Sequence, residues 1–108
     1  MSASFVHLHC HSTSSLSDSI LTVPEIIAWC ERHQAPALAI TDHGSLGALY
    51  PFLLAARRAA VRPLLGCEIY LDVRWPGCAR AERLRRAHLI LIARNLRGFR
   101  HLVRLHNE

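Results

Sequence analysis

The stretch Pro36-Ala37-Leu38-Ala39-Ile40-Thr41-Asp42-His43-Gly44 decides how the chain is read. Its apolar run is too brief for a helix and reads as a buried strand. The strand delivers a carboxylate and an imidazole just past its end, where α/β enzymes place working groups. Upstream, Thr22 with Glu25 matches a capping box, and Val23, Ile26, Ile27 and Cys30 recur at helical spacing, which predicts a helix to about His33. Farther back, residues 4–9 alternate loosely and predict a short first strand with a histidine-rich tip, followed by a Ser/Thr-rich loop from Ser12 to Ser19.

Downstream, Ser45 can cap a second helix through about Ala60, which Pro51 should kink or restart. Pro63–Leu71 predicts a third strand with Glu68 in its path, and His88–Ala93 a fourth. Asn95 caps a last helix whose Leu96, Phe99, Leu102 and Val103 face a core while Arg97, Arg100 and Arg104 face away. Asp72–Ala87 is expected to be mostly loop. Within it Trp75-Pro76-Gly77 signals a turn, and the arginine-rich Ala79–Arg86 is a short helix or a solvated loop. The order β-α-β-α-β-β-α, with no internal repeat, is the pattern of a parallel-sheet α/β fold, open or closed into a barrel; four strands are too few to close one.

A chain of 108 residues that is 51% hydrophobic and 19% charged suits one globular domain and excludes a disordered tail. No apolar run is long enough to span a bilayer, and the first residues lack the order of a signal peptide, so a cytoplasmic address is expected. Cys10, Cys30, Cys67 and Cys78 form no CxxC pair and read as reduced thiols. The formal charge is +5, and every Lys/Arg position is arginine; this suits polyanion partners without requiring them. The chain stops directly after its last helix, which suggests a piece of something longer.

His9-x-His11 puts two imidazoles on one side of an extended chain, a bidentate metal clamp, although strand-end histidines also serve as plain hydrogen-bonding groups. His7 alternates onto the same face but lies farther back, in a supporting position. Asp18 follows in the loop, where its plain role is to satisfy backbone amides. His43 is the stronger ligand of the Asp42-His43 pair, and Asp42 is a ligand, an orienter of a histidine or a helix cap. Glu68 lies in an otherwise buried segment, where an ionised carboxylate needs an arginine or a cation. His88 opens the fourth strand: an antiparallel return brings it beside the end of the third, and a parallel crossover leaves it at the wrong end. Imidazole plus carboxylate without thiolate suits zinc, manganese or iron, and ions held close together would activate water against a phosphoester. Arg97, Arg100 and Arg104 are candidates for DNA phosphates, although a solvated face accounts for them more simply, since no aromatic residues are interleaved.

Phe5-Val-His-Leu-His-Cys-His-Ser12, Ser15-Leu-Ser-Asp18, Ala39-Ile-Thr-Asp-His-Gly44, Pro63-Leu-Leu-Gly-Cys-Glu68 and His88-Leu-Ile-Leu-Ile-Ala-Arg-Asn95 together resemble the start of a PHP (polymerase and histidinol phosphatase) domain. The likeness covers nearly the whole chain. Its flavour is that of the branch at the N-terminus of bacterial DNA polymerase III alpha subunits rather than of free-standing phosphatases. The resemblance implies a distorted seven-stranded β/α barrel, of which residues 1–108 would be the N-terminal part of a single domain, incomplete in this chain. It further implies up to three divalent ions. His9 and His11 would bind one, Glu68 would bridge it to a second that His88 also ligates, and Asp18 with His43 would hold the third. The family adds a further histidine and an Asp-x-His pair from later strands. Expected partners are DNA and replisome subunits through a longer parent with polymerase and exonuclease activity, the 108 residues alone being inactive and prone to self-associate through an open edge. The alternatives are a free-standing phosphoesterase and a metal-free structural module. The chain departs from the family at Ser19 and Ala60, where glycine is frequent.

Overall fold

A computed structural model describes residues 5–73 and 85–108. The elements run α1 (Val23–Arg32), β1 (Ala37–Ile40), α2 (Leu49–Arg58), β2 (Arg62–Val73), β3 (Arg85–Ile92) and α3 (Leu96–His106). Helix α1 begins as its sequence dictates: the Thr22 hydroxyl accepts from the Glu25 amide, and the Glu25 side chain accepts from the Thr22 amide. Its apolar stripe, Ile26, Ile27 and Cys30, packs against Leu38 and Ile40 of β1 and against Leu49, Phe52 and Ala56 of α2. All four β1 residues are buried, as a strand covered on both faces requires.

Helix α2 starts later than Ser45 predicts. It begins at Leu49 with Ala48 in the cap position and no side-chain cap. Pro51 therefore falls in the first turn, where a missing N–H costs nothing because first-turn amides have no intrahelical acceptor, and the expected kink has no cause. The helix closes with the Val61 amide donating to the Ala56 carbonyl across Ala60, whose φ is +54°. The glycine that the resemblance expects there would occupy this left-handed conformation without Cβ strain.

Among the described residues the three strands form one sheet in the order β1-β2-β3, with β1 parallel to β2 and β2 antiparallel to β3. The sheet is thus mixed rather than wholly parallel. Pairing continues to Val73↔Arg85, so Asp72, Val73 and Arg85–Ala87 are strand rather than loop; ladder bonds between backbones do not require apolar side chains. The Trp75-Pro76-Gly77 turn and the segment 79–84 lie outside the described residues. The N-terminal segment is less regular than predicted: within the described residues only His7 forms a bridge, to Leu38, although the Ala39 and Thr41 amides donate to the carbonyls of His7 and Cys10. Asn95 caps α3 by accepting from the Gly98 amide; Leu102 is buried and Phe99 joins the core. Leu96, expected in the core, is exposed, at the rim of an apolar cleft that it lines with Leu49, Leu53, Leu65 and Phe99.

Asp42 organises the loop that follows the first histidines. Fully buried, its carboxylate accepts from the Ser12 amide at 2.6 Å, the Ser12 hydroxyl at 2.7 Å and the Ser15 hydroxyl at 2.8 Å. Ser15 Oγ accepts in turn from the His43 amide at 2.9 Å. A buried carboxylate is tolerable here because the loop surrounds it with donors.

Two substitutions check these local accounts by urea denaturation. Ala60→Gly removes left-handed strain worth about 1–2 kcal/mol at the expense of glycine's chain entropy, and should raise stability by roughly 0.5–1 kcal/mol. Gly66→Ala should lower it by about 1–3 kcal/mol, because a Cβ there would sit 2.5 Å from the Leu91 carbonyl oxygen and 2.8 Å from Thr41 Cγ2. An unshifted midpoint in either variant contradicts the corresponding contact.

Candidate metal centre

Backbone pairing, rather than side-chain attraction, brings the polar residues together. Past the end of β1 the chain keeps its parallel course along β2: the Glu68 amide donates to the Asp42 carbonyl at 3.0 Å, and the Gly44 amide to the Glu68 carbonyl at 2.8 Å. His43 is thereby locked beside Glu68. On the other edge the antiparallel register sets Tyr70 opposite His88. Residues two apart on a strand share a face, so Glu68 and Tyr70 lie on one side of β2, with His88 across from them. The antiparallel return that the sequence left open is the arrangement present.

Glu68 is 2% exposed and is the junction of the site. One carboxylate oxygen, Oε2, accepts from His9 Nε2 at 2.9 Å and His11 Nε2 at 2.7 Å. The other, Oε1, lies 2.6 Å from His88 Nδ1. Burial works to raise the pKa of Glu68, but hydrogen bonds from His9 and His11, reinforced by their charge, outweigh it and hold the carboxyl below the usual carboxylate range. Asp18 Oδ2 accepts from His43 Nδ1 at 3.0 Å and lies 3.7 Å from His11 Nδ1. All six candidate ligands, His9, His11, Asp18, His43, Glu68 and His88, thus belong to one connected cluster.

The two supporting positions have other occupations. The His7 ring packs between Phe5 and Trp29, at 4.7 Å and 5.0 Å between ring centres, which makes it part of the contact with α1. Asp42 bonds to no histidine; it fixes the Ser12–Ser15 turn and reaches His43 only through Ser15. Cys67 donates its thiol to the Asp42 carbonyl, and Cys10 packs against the core; burial pushes both thiols up, away from the thiolate form that metals bind. Arg97, Arg100 and Arg104 are exposed, and among the described residues no side-chain hydrogen bond or ion pair ties them to the cluster. Tyr70 escaped the sequence reading. Its ring centre lies 4.4 Å from that of His43 and 5.0 Å from that of His88. The signal was its place two residues after Glu68.

The donor set fits divalent cations. Within the cluster, His9, His11 and Glu68 each offer one ligand atom, all within 4.8 Å of one another, and so do His43, Glu68 and His88. The Nε2 atoms of His9 and His11 stand 3.1 Å apart against one carboxylate oxygen, close to the spacing of neighbouring donors around an ion bound at about 2.0–2.1 Å. His43 Nε2 is buried with no hydrogen-bond partner while its other nitrogen is held by Asp18, the pattern of an imidazole kept in one tautomer to present a lone pair.

Comparison with known proteins identifies the family. The PHP domain model matches residues 7–107. The DNA polymerase III subunit alpha of Chlamydia trachomatis is 35% identical over 100 residues, covering 91% of this chain and 8% of that protein. The chain spans only 8–10% of the length of such curated relatives. Among solved structures, an amidohydrolase from Chromobacterium violaceum is 30% identical with a TM-score of 0.64, over 82% of this chain and 27% of its own. A candidate metal-dependent phosphoesterase from Bifidobacterium adolescentis shares the fold at a TM-score of 0.67 and 19% identity, over 94% and 33%. By its family match, its polymerase relatives and its fold, the chain belongs to the PHP domain family.

Proposed function

We propose that residues 1–108 are the N-terminal part of a single PHP domain of a DNA polymerase III alpha-type protein, and that they contribute six ligands to a centre for phosphoester hydrolysis. The observation that carries this reading is the buried Glu68 carboxylate with three imidazoles on its two oxygens. In the complete domain the sheet would continue into a distorted seven-stranded barrel, and later strands would add the remaining ligands. The 30–35% identity to polymerase subunits supports the polymerase branch over a free-standing phosphoesterase. DNA and replisome subunits follow as the parent's partners, and removal of a nucleotide from a DNA 3′ end as its hydrolytic reaction.

In this reading His9 and His11 with Glu68 would hold one ion, Glu68 and His88 a second, and Asp18 with His43 a third; zinc, manganese and iron all suit these donors. Divalent cations in such a centre supply positive charge to phosphoester oxygens and make water a nucleophile at neutral pH. The chain's own residues do the rest. Asp18 accepts from His43 Nδ1 at 3.0 Å, which holds the two side chains of the third pair next to one another. Glu68 brings negative charge to the middle of the cluster, which lowers the cost of gathering cations there. The Ser12–Ser15 turn, pinned by Asp42, fixes where the loop leaves for Asp18.

Cobalt titration followed by visible absorption, with elemental analysis, tests the ligand set. Wild type should bind at least one ion per chain. Glu68→Gln, which keeps the size of the side chain but loses its charge, should weaken binding by tenfold or more, the usual scale for removing a ligand or its close support. Equal stoichiometry and affinity in the variant would sink the bridging role.

A further inference from the structure

Beyond the ligand cluster, one face of the β2–β3 ribbon carries a regular series. Glu68, Tyr70 and Asp72 alternate onto it from β2; the registers Tyr70↔His88 and Asp72↔Arg86 place His88 and Arg86 on it from β3. Successive same-face positions lie about 6.6 Å apart along a strand, a step comparable to one nucleotide of an extended single strand. From the candidate ions outward the face therefore presents a carboxylate–imidazole group, an aromatic ring and a guanidinium.

The ring is built into place. Its contacts with His43 and His88 are inclined by 49° and 76°, so two candidate ligands steady it while half of the tyrosine stays in water. The Arg86 guanidinium carbon stands 5.6 Å from the ring centre. Tyr70 also borders a cleft of about 540 Å³ that runs to Asp18 and His43 and is lined by the hydroxyl-bearing Ser14 and Ser45. Leu16, 95% exposed, lines the same cleft. An apolar side chain and a half-open aromatic ring beside a polar cleft suit a ligand that has both a flat face and a phosphate chain. A small aliphatic phosphate ester would leave Tyr70 and Leu16 unused and would not extend to Arg86. Asp72 faces Arg86 across the ribbon and offsets part of its charge, so the contact at Arg86 is a single phosphate rather than a broad basic patch.

We infer that this face is a track for single-stranded nucleic acid, in which Tyr70 stacks a base next to the candidate metal cluster and Arg86 leaves the ring to meet the following phosphate. The inference deepens the hydrolytic reading, on which it rests for where the scissile bond lies; the track itself binds without a cation. It also moves nucleic-acid contact away from the α3 arginines.

Fluorescence anisotropy of labelled short oligo(dT) on the full chain, in EDTA, tests it. Tyr70→Ala should weaken binding about tenfold, within the range for losing one stacked base, and Tyr70→Phe should restore it. Arg86→Ala, at an exposed position that carries little folding risk, should lower the slope of log affinity against log salt by about 0.7, one phosphate on a single strand. The triple variant Arg97→Ala, Arg100→Ala, Arg104→Ala should bind within twofold of wild type. Absence of oligo(dT) binding by wild type, wild-type binding by both Tyr70→Ala and Arg86→Ala, or loss confined to the α3 variant each overturns the track. A chain that binds oligo(dT) through Tyr70 but takes up no cobalt upholds the track and counts against the metal centre instead.

Discussion

A single buried carboxylate sets the terms for this structure. Glu68 sits where water cannot solvate it, on the strand that has partners on both sides, and its charge is tolerable because three imidazoles from two distant segments reach it, with a third segment, that of His43, paired alongside through the backbone. Each segment must arrive in the right register. The His9–His11 segment comes alongside β1, His43 follows the parallel pairing past the end of β1, and His88 comes back on the antiparallel strand. A one-residue slip of any strand would turn its contribution to the opposite face of the sheet. The requirements of the fold and of the candidate centre are therefore the same requirement.

Asp42 shows the contrasting solution to the same problem. It is as deeply buried as Glu68, but its donors are a backbone amide and two serine hydroxyls, none of which titrates near neutrality. It is satisfied locally, whereas Glu68 is satisfied by groups that can exchange protons for cations. Two neighbouring acids are thus satisfied differently: one by the loop it freezes, the other by the imidazoles of the candidate centre. Their surroundings rather than their residue type make the difference.

Much of this was legible in the sequence. The capping box at Thr22, the apolar run before Asp42 and the helix cap at Asn95 each act over a few residues, so local patterns predict them. The polar residues at strand ends were legible for the same reason, and the family pattern supplied their grouping. The start of α2 was not: Ser45 is a good cap by type, but its hydroxyl accepts from the Gly47 amide within a turn closed by the Leu49 amide on the Leu46 carbonyl, and the helix begins only at Leu49. The extension of β2 and β3 into polar residues was hidden because hydropathy does not register backbone pairing. The roles of Ser12 and Ser15 depend on a carboxylate thirty residues away in the case of Ser12, and no local rule connects them. His7 misled because strand alternation predicts a face but not which neighbour fills it.

The cluster gathers contacts of very different sequence range. His88 meets Glu68 across an antiparallel pairing of adjacent strands, but the His9 and His11 contacts with Glu68 close 59 and 57 residues of chain. Long closures exact their entropy before any contact repays it, and they tend to form late. The half of the cluster on β2 and β3 can therefore assemble first and wait, and the histidines near the N-terminus complete it only when the first segment docks against β1. A cation present during refolding would act as a clasp on that last docking event, coupling uptake to the final stage of folding rather than to the folded protein alone.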